Sequence, residues 1–315
     1  MIKIKAIAKI ADANISALSV KNDGSWLDSI SDPHSIITPT ENYIYFPETL
    51  DGNISKYTDN IHLFSKIISD SNETSDILFA IRDGSYSANV RMSLLKLFRR
   101  CVAPVLDTEM TKKIKTVTTE SLVANYGNTF KDIKTLKSQF SNLDINILYA
   151  LCALLGEYDN RGTVGYELTD VFFDWFEKKF SGELNIKGPR GAGKDIELRE
   201  YISDFNYSYP CDFIVTDNDK NVIAVGFARY DSTRGGSQAD DRTGGNSDKV
   251  WKAIDYNTTK ENKKPFKLIF LSDGPGLAHK DIWAEFCELD KVRDNVRVTT
   301  LKTLNKRITK EWLLS

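Results

Sequence analysis

The chain has 315 residues, of which 41% are hydrophobic and 27% are charged. This composition is typical of a globular protein of about two domains, and it excludes a collagen-like or wholly disordered chain. The 42 Lys and Arg residues nearly balance the 44 Asp and Glu residues, which leaves a net charge of −2. A uniformly basic surface is therefore excluded, and binding to a polyanion must depend on local clusters of positive charge.

The N-terminus and the cysteines predict a cytoplasmic protein. No apolar run approaches the roughly 18 residues of a membrane helix, and MIKIKAIAKI alternates Lys with apolar residues instead of forming a signal-peptide block. The cysteines lack the C-x-x-C spacing of zinc or redox sites, which is typical of a reducing compartment; they are Cys101, Cys152, Cys211 and Cys287. Three widely separated histidines do not favour a histidine metal site.

Residues 1–150 are predicted to form an N-terminal region, mixed or helical, with a role in DNA recognition or dimerisation. Apolar residues alternate at Ile2, Ile4, Ala6 and Ala8, and turn-rich text follows, so the first 60 residues are expected to be mixed or mainly strand. Further along, apolar residues recur at helical spacing and predict an amphipathic helix; these are Val90, Leu94, Leu97, Phe98 and Cys101.

The basic residues of that helix are candidates for contacts with DNA. Arg91, Arg99 and Arg100 lie off its apolar stripe. KKIK at 112–115 and the lysines at 131, 134 and 137 add positive charge nearby. If these surfaces converge, they form a groove for a nucleic-acid backbone, because each neutralised phosphate releases a counterion. A solvated charged surface is the other interpretation, and both stay open.

Residues 151–315 predict an α/β domain, with the boundary near 145–160. Periodicity indicates the order α-β-β-β-α-β-α-β. The predicted helices cover about 164–181, 247–256 and 279–289; the predicted strands cover 195–198, 211–216, 222–228, 267–272 and 296–301. This order predicts a mixed central sheet flanked by helices on both faces.

Asp212 carries the strongest chemical signal. It follows Pro210 and Cys211 at the start of a predicted strand, and the turn DNDKN brings it opposite about Gly226. The paired strand ends in Arg-Tyr-Asp at 229–231, so Asp231 and Arg229 are expected at the same edge. Gathered carboxylates suit Mg²⁺, which takes one or two of them with waters and a phosphate oxygen. Such a site predicts phosphodiester hydrolysis; the alternative is that Asp212 caps a turn.

The segment GPRGAGKDIEL at 188–198 has the spacing G-x-x-x-x-G-K of a phosphate-binding loop. Asp195 stands where Ser or Thr would hold Mg²⁺, however, and no apolar strand precedes the segment. A P-loop nucleotide hydrolase is therefore the least favoured interpretation. We expect Lys194, Asp195 and Glu197 to join the edge formed by Asp212.

A third segment, FARYDSTRGGSQADDRTGGN at 227–246, mixes charges with glycines. Arg and Gln read base edges through paired hydrogen bonds, and glycine lets a backbone approach a ligand closely. Arg234, Gln238 and Arg242 are thus candidates for contacts with bases. An active-site loop is favoured over a solvated one, because the segment directly follows a core strand.

Taken together, these motifs resemble the catalytic half of type II restriction endonucleases of the PD-(D/E)XK superfamily. The resemblance rests on GEYDNRGTVGYELTDVFFDWFE, GPRGAGKDIEL, YPCDFIV and VGFARYDSTRGGSQADDRTGG, and LLKLFRRCVAPVLDTE extends it to about residue 90. It implies the restriction-endonuclease fold and sequence-specific cleavage of double-stranded DNA with Mg²⁺, for which Mn²⁺ substitutes. It also implies a homodimer on a palindromic target and a cognate DNA methyltransferase in the same system.

In that superfamily an Asp begins one strand, and an acid and a Lys follow on the next. Asp212 takes the first place, but the next strand has AVG at 224–226 and then FAR at 227–229. The missing acid is expected at Asp195, Glu197, Asp231 or Glu167, with Asp212, Asp195 and Glu167 as candidate metal ligands. Lys194 or Arg229 would stabilise the phosphate charge. The alternative is a catalytically inactive DNA-binding protein of the same fold.

Overall fold

The computed structural model describes residues 25–39, 45–157, 159, 161–190, 194–232, 238–259 and 265–315, with the backbone alone at 161–167, 238–243 and 259. The chain divides into two compact units. One extends over residues 42–160, and the other combines residues 161–315 with the described residues before position 42. Each unit has its own hydrophobic core.

The unit of residues 42–160 is helical in its described part. Its helices are α1 (Glu48–Asp70), α2 (Thr74–Asp83), α3 (Ala88–Cys101), α4 (Thr108–Lys112), α5 (Thr119–Tyr126), α6 (Ile133–Phe140) and α7 (Ile145–Gly156). Helix α1 packs against α3, α6 and α7. Phe64 and Phe140 meet edge to face in this core, at 5.6 Å between ring centroids.

Two predictions concern this unit. The amphipathic helix predicted from Val90 to Cys101 is confirmed as α3, and Ser87 caps it by accepting a hydrogen bond from the Val90 amide. Of the two alternatives for the first 60 residues, mainly strand structure is wrong for residues 48–60, which form the first part of α1, whereas a mixed region allows this helix. In this helix the buried residues Tyr57, Ile61 and Phe64 recur at helical spacing. This local pattern, and not the alternation at residues 2–8, indicates the structure of the segment. The alternating residues 2–8 lie outside the described residues.

The second unit is built on a five-stranded mixed sheet. Its described elements in chain order are α8 (Arg161–Lys179), β1 (Asn185–Lys187), β2 (Ile196–Glu197), β3 (Pro210–Cys211), β4 (Phe213–Thr216), β5 (Val222–Tyr230), α9 (Gln238–Thr259), β6 (Lys267–Asp273), α10 (Lys280–Asp290), β7 (Val296–Thr299), α11 (Leu304–Arg307) and α12 (Lys310–Leu314). The sheet order is β1-β4-β5-β6-β7. Strands β1, β4 and β5 pair antiparallel, whereas β5, β6 and β7 pair parallel.

Helices cover both faces of this sheet. Helices α8 and α12 pack on one face, where Phe172, Phe176 and Trp312 contribute to the core. Helices α9 and α10 pack on the other face, with Val250 and Phe286 against the strands. The predicted α/β class with a mixed sheet between helices is therefore what the structure shows.

Two details of the predicted order are wrong. Residues 195–198 do not enter the central sheet, because Ile196 and Glu197 pair with Cys211 and Pro210 in a separate two-stranded ribbon. The edge position belongs to β1, whose short polar sequence pairs with β4 from Ile214 to Thr216. On α8, Phe172, Phe173 and Phe176 are buried, whereas Val171 is 52% exposed.

Residues 25–39 dock onto the second unit through buried carboxylates. The Thr38 amide donates to Asp273 at 2.7 Å, and the Ser25 hydroxyl donates to Asp290 at 2.8 Å. Leu27, Ile36 and Ile37 are buried against the same unit. The first described segment and the C-terminal strands therefore form one core.

Two further findings bear on the expected compartment. All four cysteines are free thiols, and three of them are buried. Within the described ranges, no helix combines the length and the apolar character needed to cross a membrane.

Candidate active site

The β4–β5 hairpin positions Asp212 at the margin of the sheet. Its turn is closed by the Asp217 amide, which donates to the Asn221 carbonyl at 3.1 Å. Phe213 pairs with Gly226, and the Asp212 amide donates to the Gly226 carbonyl at 3.0 Å. The predicted pairing of Asp212 with the region of Gly226 is confirmed.

The register of this hairpin decides which positions of β5 face Asp212. Gly226 lies on the face of α8, where an added Cβ would overlap the Phe213 ring, and Ala224 is buried in the core on that face. Side chains alternate between the two faces of a strand. Asp212 therefore shares the opposite face with Phe227 and Arg229, both of which line the same cavity.

The Asp212 carboxylate is partly buried, and one of its two oxygen atoms accepts a hydrogen bond. Its Oδ2 atom accepts a hydrogen bond from the Ala228 amide at 2.7 Å. No described residue donates to its Oδ1 atom. Burial raises the pKa of Asp212, the Ala228 amide and the positive charge of Lys249 lower it, and the charge of Asp195 raises it. The site thus holds an anion that is poorly solvated, with one oxygen available to a ligand.

Lys249 on α9 is a site residue that the sequence analysis did not identify. Its ammonium group lies 3.8 Å from the centroid of the Phe227 ring, an arrangement that stabilises a cation. Burial lowers the pKa of Lys249, and the charge of Asp212 raises it. None of the described residues accepts a hydrogen bond from this group. The sequence feature that could have indicated Lys249 is its position directly before Val250, next to the apolar residues that α9 buries.

These side chains line a cavity of about 510 Å³ on the α9 face of the sheet. The lining includes Asp212, Phe227, Arg229, Asn246, Lys249 and Ser272. The Asp212 carboxylate, the Arg229 guanidinium and the Lys249 ammonium group therefore face one cavity, and the Phe227 ring forms part of its wall.

Arg229 and Asp231 form an ion pair beside this cavity. The Arg229 Nε atom donates to Asp231 at 2.8 Å. Asp231 is 4% exposed, and its backbone bonds to Asp273 and Gly276. Arg229 and Asp231 therefore lie together, as expected, and Asp231 holds the Arg229 side chain in place.

The segment before β2 contributes one charge to the site. Asp195 is exposed, and its charge acts on the pKa values of Asp212 and Lys249. Lys194 is exposed as well. Glu197 accepts a hydrogen bond from the Tyr209 amide and so braces the β2–β3 ribbon. Of these three candidates, the structure brings Asp195 into electrostatic contact with Asp212.

The remaining candidates fall in the helical unit or at positions whose side chains are not described. Arg91 and Arg100 belong to the helical unit and donate to the Gly84 and Leu154 carbonyls, each at 2.8 Å, whereas Arg99 is exposed. Arg234 lies outside the described residues. Glu167 falls in α8, and Gln238 and Arg242 fall in α9, at positions where only the backbone is described.

The donor set fits a hard divalent cation that keeps several waters. The described side chains include no group of three or more His, Cys, Asp and Glu residues that could hold a metal. Asp212 offers a free oxygen, and Asp195 is close enough to influence its pKa. Mg²⁺ takes one or two carboxylates together with waters and phosphate oxygens, so the Asp212 carboxylate would be its first protein ligand and Asp195 a second candidate.

Comparison of the chain with protein-family models, curated proteins and solved structures finds no match in any of the three. The resemblance to restriction endonucleases therefore stays an expectation from the sequence, and the functional argument depends on the site itself.

Proposed function

We propose that the protein is a Mg²⁺-dependent, sequence-specific endonuclease that hydrolyses phosphodiester bonds of double-stranded DNA, with a restriction-endonuclease fold. The observation that carries the proposal is the poorly solvated Asp212 carboxylate in a cavity shared with Lys249 and Arg229. The order of α8, the antiparallel strands β1, β4 and β5, then α9 and the parallel strand β6, supports the fold. By the same proposal, the enzyme acts as a homodimer and has a cognate DNA methyltransferase.

Each residue has a distinct role in this proposal. Asp212 and Asp195 hold Mg²⁺, which when bound lowers the pKa of a water and neutralises phosphate charge. Lys249 takes the place of the strand lysine, since its ammonium group has no acceptor among the described residues and faces the cavity. Arg229, held by Asp231, adds positive charge beside the scissile phosphate and binds the DNA backbone there.

Phe227 supports a second candidate function, a DNA-binding protein without catalytic activity. Pairing of Phe213 with Gly226 places Phe227 opposite Asp212, where the superfamily has an acid. With this carboxylate replaced by a ring, the site has one ligand fewer. Persistent DNA binding without cleavage in both Mg²⁺ and Mn²⁺ would identify this function.

The test is cleavage of plasmid and phage DNA of varied sequence by the purified chain in Mg²⁺, in Mn²⁺ and in EDTA. Discrete fragments are expected with either metal, and intact DNA in EDTA. Asp212→Asn should leave DNA uncut while still binding it. Lys249→Met should lower the cleavage rate about 10²–10³-fold, as expected for loss of one group that stabilises transition-state charge.

Matched controls come from the same elements. Asp219→Asn changes an exposed carboxylate in the β4–β5 turn, and Lys252→Met changes a lysine one turn farther along α9 that pairs with Asp248. Both variants should cut like the unmodified protein. Full cleavage by Asp212→Asn would contradict the proposed site. No cleavage of any DNA by the unmodified chain would contradict the proposed activity.

A further inference from the structure

Ser272 on β6 is a buried polar residue that the site described so far does not use. It is 4% exposed and lines the cavity. Within the described part of the chain, its hydroxyl makes no hydrogen bond. The residue lines the same cavity as Asp212, Arg229 and Lys249. Its hydroxyl is therefore available to donate a hydrogen bond to a ligand in that cavity.

Arg229 is the direct neighbour of Ser272. The two residues are paired in the parallel ladder of β5 and β6, so their side chains leave the same face of the sheet about 5 Å apart. Only the Nε atom of Arg229 is bound, to Asp231. The other guanidinium donors have no acceptor among the residues that the structure describes. The Ser272 hydroxyl and the Arg229 guanidinium, side by side, are hydrogen-bond donors suited to phosphate oxygens.

This pair lies apart from the proposed metal ligands. Asp212 precedes β4, whereas Ser272 lies on β6, so two strand spacings of about 5 Å separate them. Hydrogen bonds join heavy atoms at about 3 Å. One phosphate held by the Asp212-bound metal and Lys249 therefore does not reach Ser272, and the cavity has room for a second group.

We propose that Ser272 and Arg229 form a second phosphate subsite, which binds the phosphate adjacent to the scissile one in a nucleic-acid strand. The inference rests on the proposed function for the identity of the first phosphate. It means that the cavity selects substrates with two consecutive phosphodiesters. A compound with a single phosphate would lack half of its contacts.

Binding of two short probes tests this subsite, with Ca²⁺ in place of Mg²⁺ so that the first phosphate keeps a bound cation. The probes are thymidine dinucleotide TpT, which has one phosphodiester, and trinucleotide TpTpT, which has two; dissociation constants are measured by NMR titration. The unmodified protein should bind TpTpT about tenfold more tightly than TpT, as one charge-assisted hydrogen-bonded contact would give. Ser272→Ala should abolish this preference and leave the affinity for TpT unchanged.

Arg229→Gln provides a second variant at a side chain that is 43% exposed, and it should also abolish the preference. Ser203→Ala, at an exposed turn of the same unit, is the control and should retain it. Equal binding of both probes by the unmodified protein, or an equal loss for both in Ser272→Ala, would overturn the inference. A protein that cuts DNA but shows equal binding refutes the subsite alone, whereas one that prefers TpTpT but cuts no DNA refutes the nuclease alone.

Discussion

At the scale of single residues, the charge of Asp212 opposes folding. Burial is the largest influence on this carboxyl and raises its pKa above the ordinary 3.8, although the Ala228 amide and Lys249 act in the other direction. Between pH 3.8 and the raised value, the folded state binds more protons than the unfolded state. The free energy of unfolding therefore falls as the pH rises through this window. Such a cost is common where a site serves function more than stability.

We predict that Asp212→Asn stabilises the protein at neutral pH while abolishing cleavage. The asparagine keeps an oxygen that can accept from the Ala228 amide, but it carries no charge to be desolvated. A gain on the order of 1 kcal/mol for each unit of raised pKa is expected at pH 8. The gain should disappear at about pH 3 and below, where the carboxyl is mostly protonated in both states. Thermal unfolding at pH 8 and about pH 3 measures it.

The exposed Asp219→Asn serves as the control for this measurement and should show no such pH-dependent difference. An Asp212→Asn variant that is less stable than the unmodified protein at pH 8 would show that the carboxylate contributes favourably to the fold.

At the scale of elements, the β4–β5 hairpin and the strand at 267–272 were predictable, whereas the edge partner β1 was not. The turn DNDKN and two flanking apolar runs fix a local pairing, so Asp212 could be placed near Gly226 from the sequence. The edge strand β1 has only three residues, NIK, and its pairing with β4 depends on contacts distant in sequence. Its short polar sequence has little strand propensity, so the strand was not predicted.

Prediction of the site was limited for the same reason. Asp212 and Arg229 lie in one hairpin and were recognised together. Lys249 comes from α9 and Ser272 from β6, and only tertiary packing brings them to the cavity. The sequence left open whether positions 224–226 or 227–229 face Asp212, because one residue of register moves a side chain to the other face.

We predict that Gly226→Ala destabilises the protein through the packing of this hairpin. The added methyl group would overlap the Phe213 ring, which is itself packed against Phe172 and Phe173. Overpacking of this kind costs about 1–3 kcal/mol. Urea unfolding measures the loss.

A double-mutant cycle with Phe213→Leu tests the cause of that loss. The smaller side chain gives the methyl group room, so Gly226→Ala should cost less in that background. Equal costs in the two backgrounds would mean that position 226 does not face Phe213, and the assignment of Phe227 and Arg229 to the face of Asp212 would be wrong.

At the scale of the whole molecule, the second unit is discontinuous in sequence. Residues 25–39 supply Leu27, Ile36 and Ile37 to a core otherwise formed after residue 160. Two of their polar contacts are to Asp273 and Asp290, both buried. Asp290 also accepts from Arg307 and from the Val298 amide, so one carboxylate joins the first described segment to β7 and α11.

We predict that removal of residues 1–41 destabilises this unit much more than removal of residues 1–24. Each fully buried apolar side chain that is lost contributes roughly 1.5–3 kcal/mol, and Asp273 and Asp290 would each lose a hydrogen-bond donor. Hydrogen exchange of the β6 and β7 amides measures the effect. Similar protection in the two truncated chains would show that residues 25–39 contribute little to the core.

The contacts of Ser25 with Asp290 and of Thr38 with Asp273 also determine when residues 25–39 can dock during synthesis on the ribosome. Helices α1 to α7 follow one another without interruption, so they can pack as soon as residue 160 has emerged, since domains usually fold as units from the N-terminus. Leu27 and Ile36, although translated earlier, have no apolar surface to cover until β6, α10 and β7 exist. Residues 25–39 of the nascent chain therefore stay undocked until β7 has been synthesised.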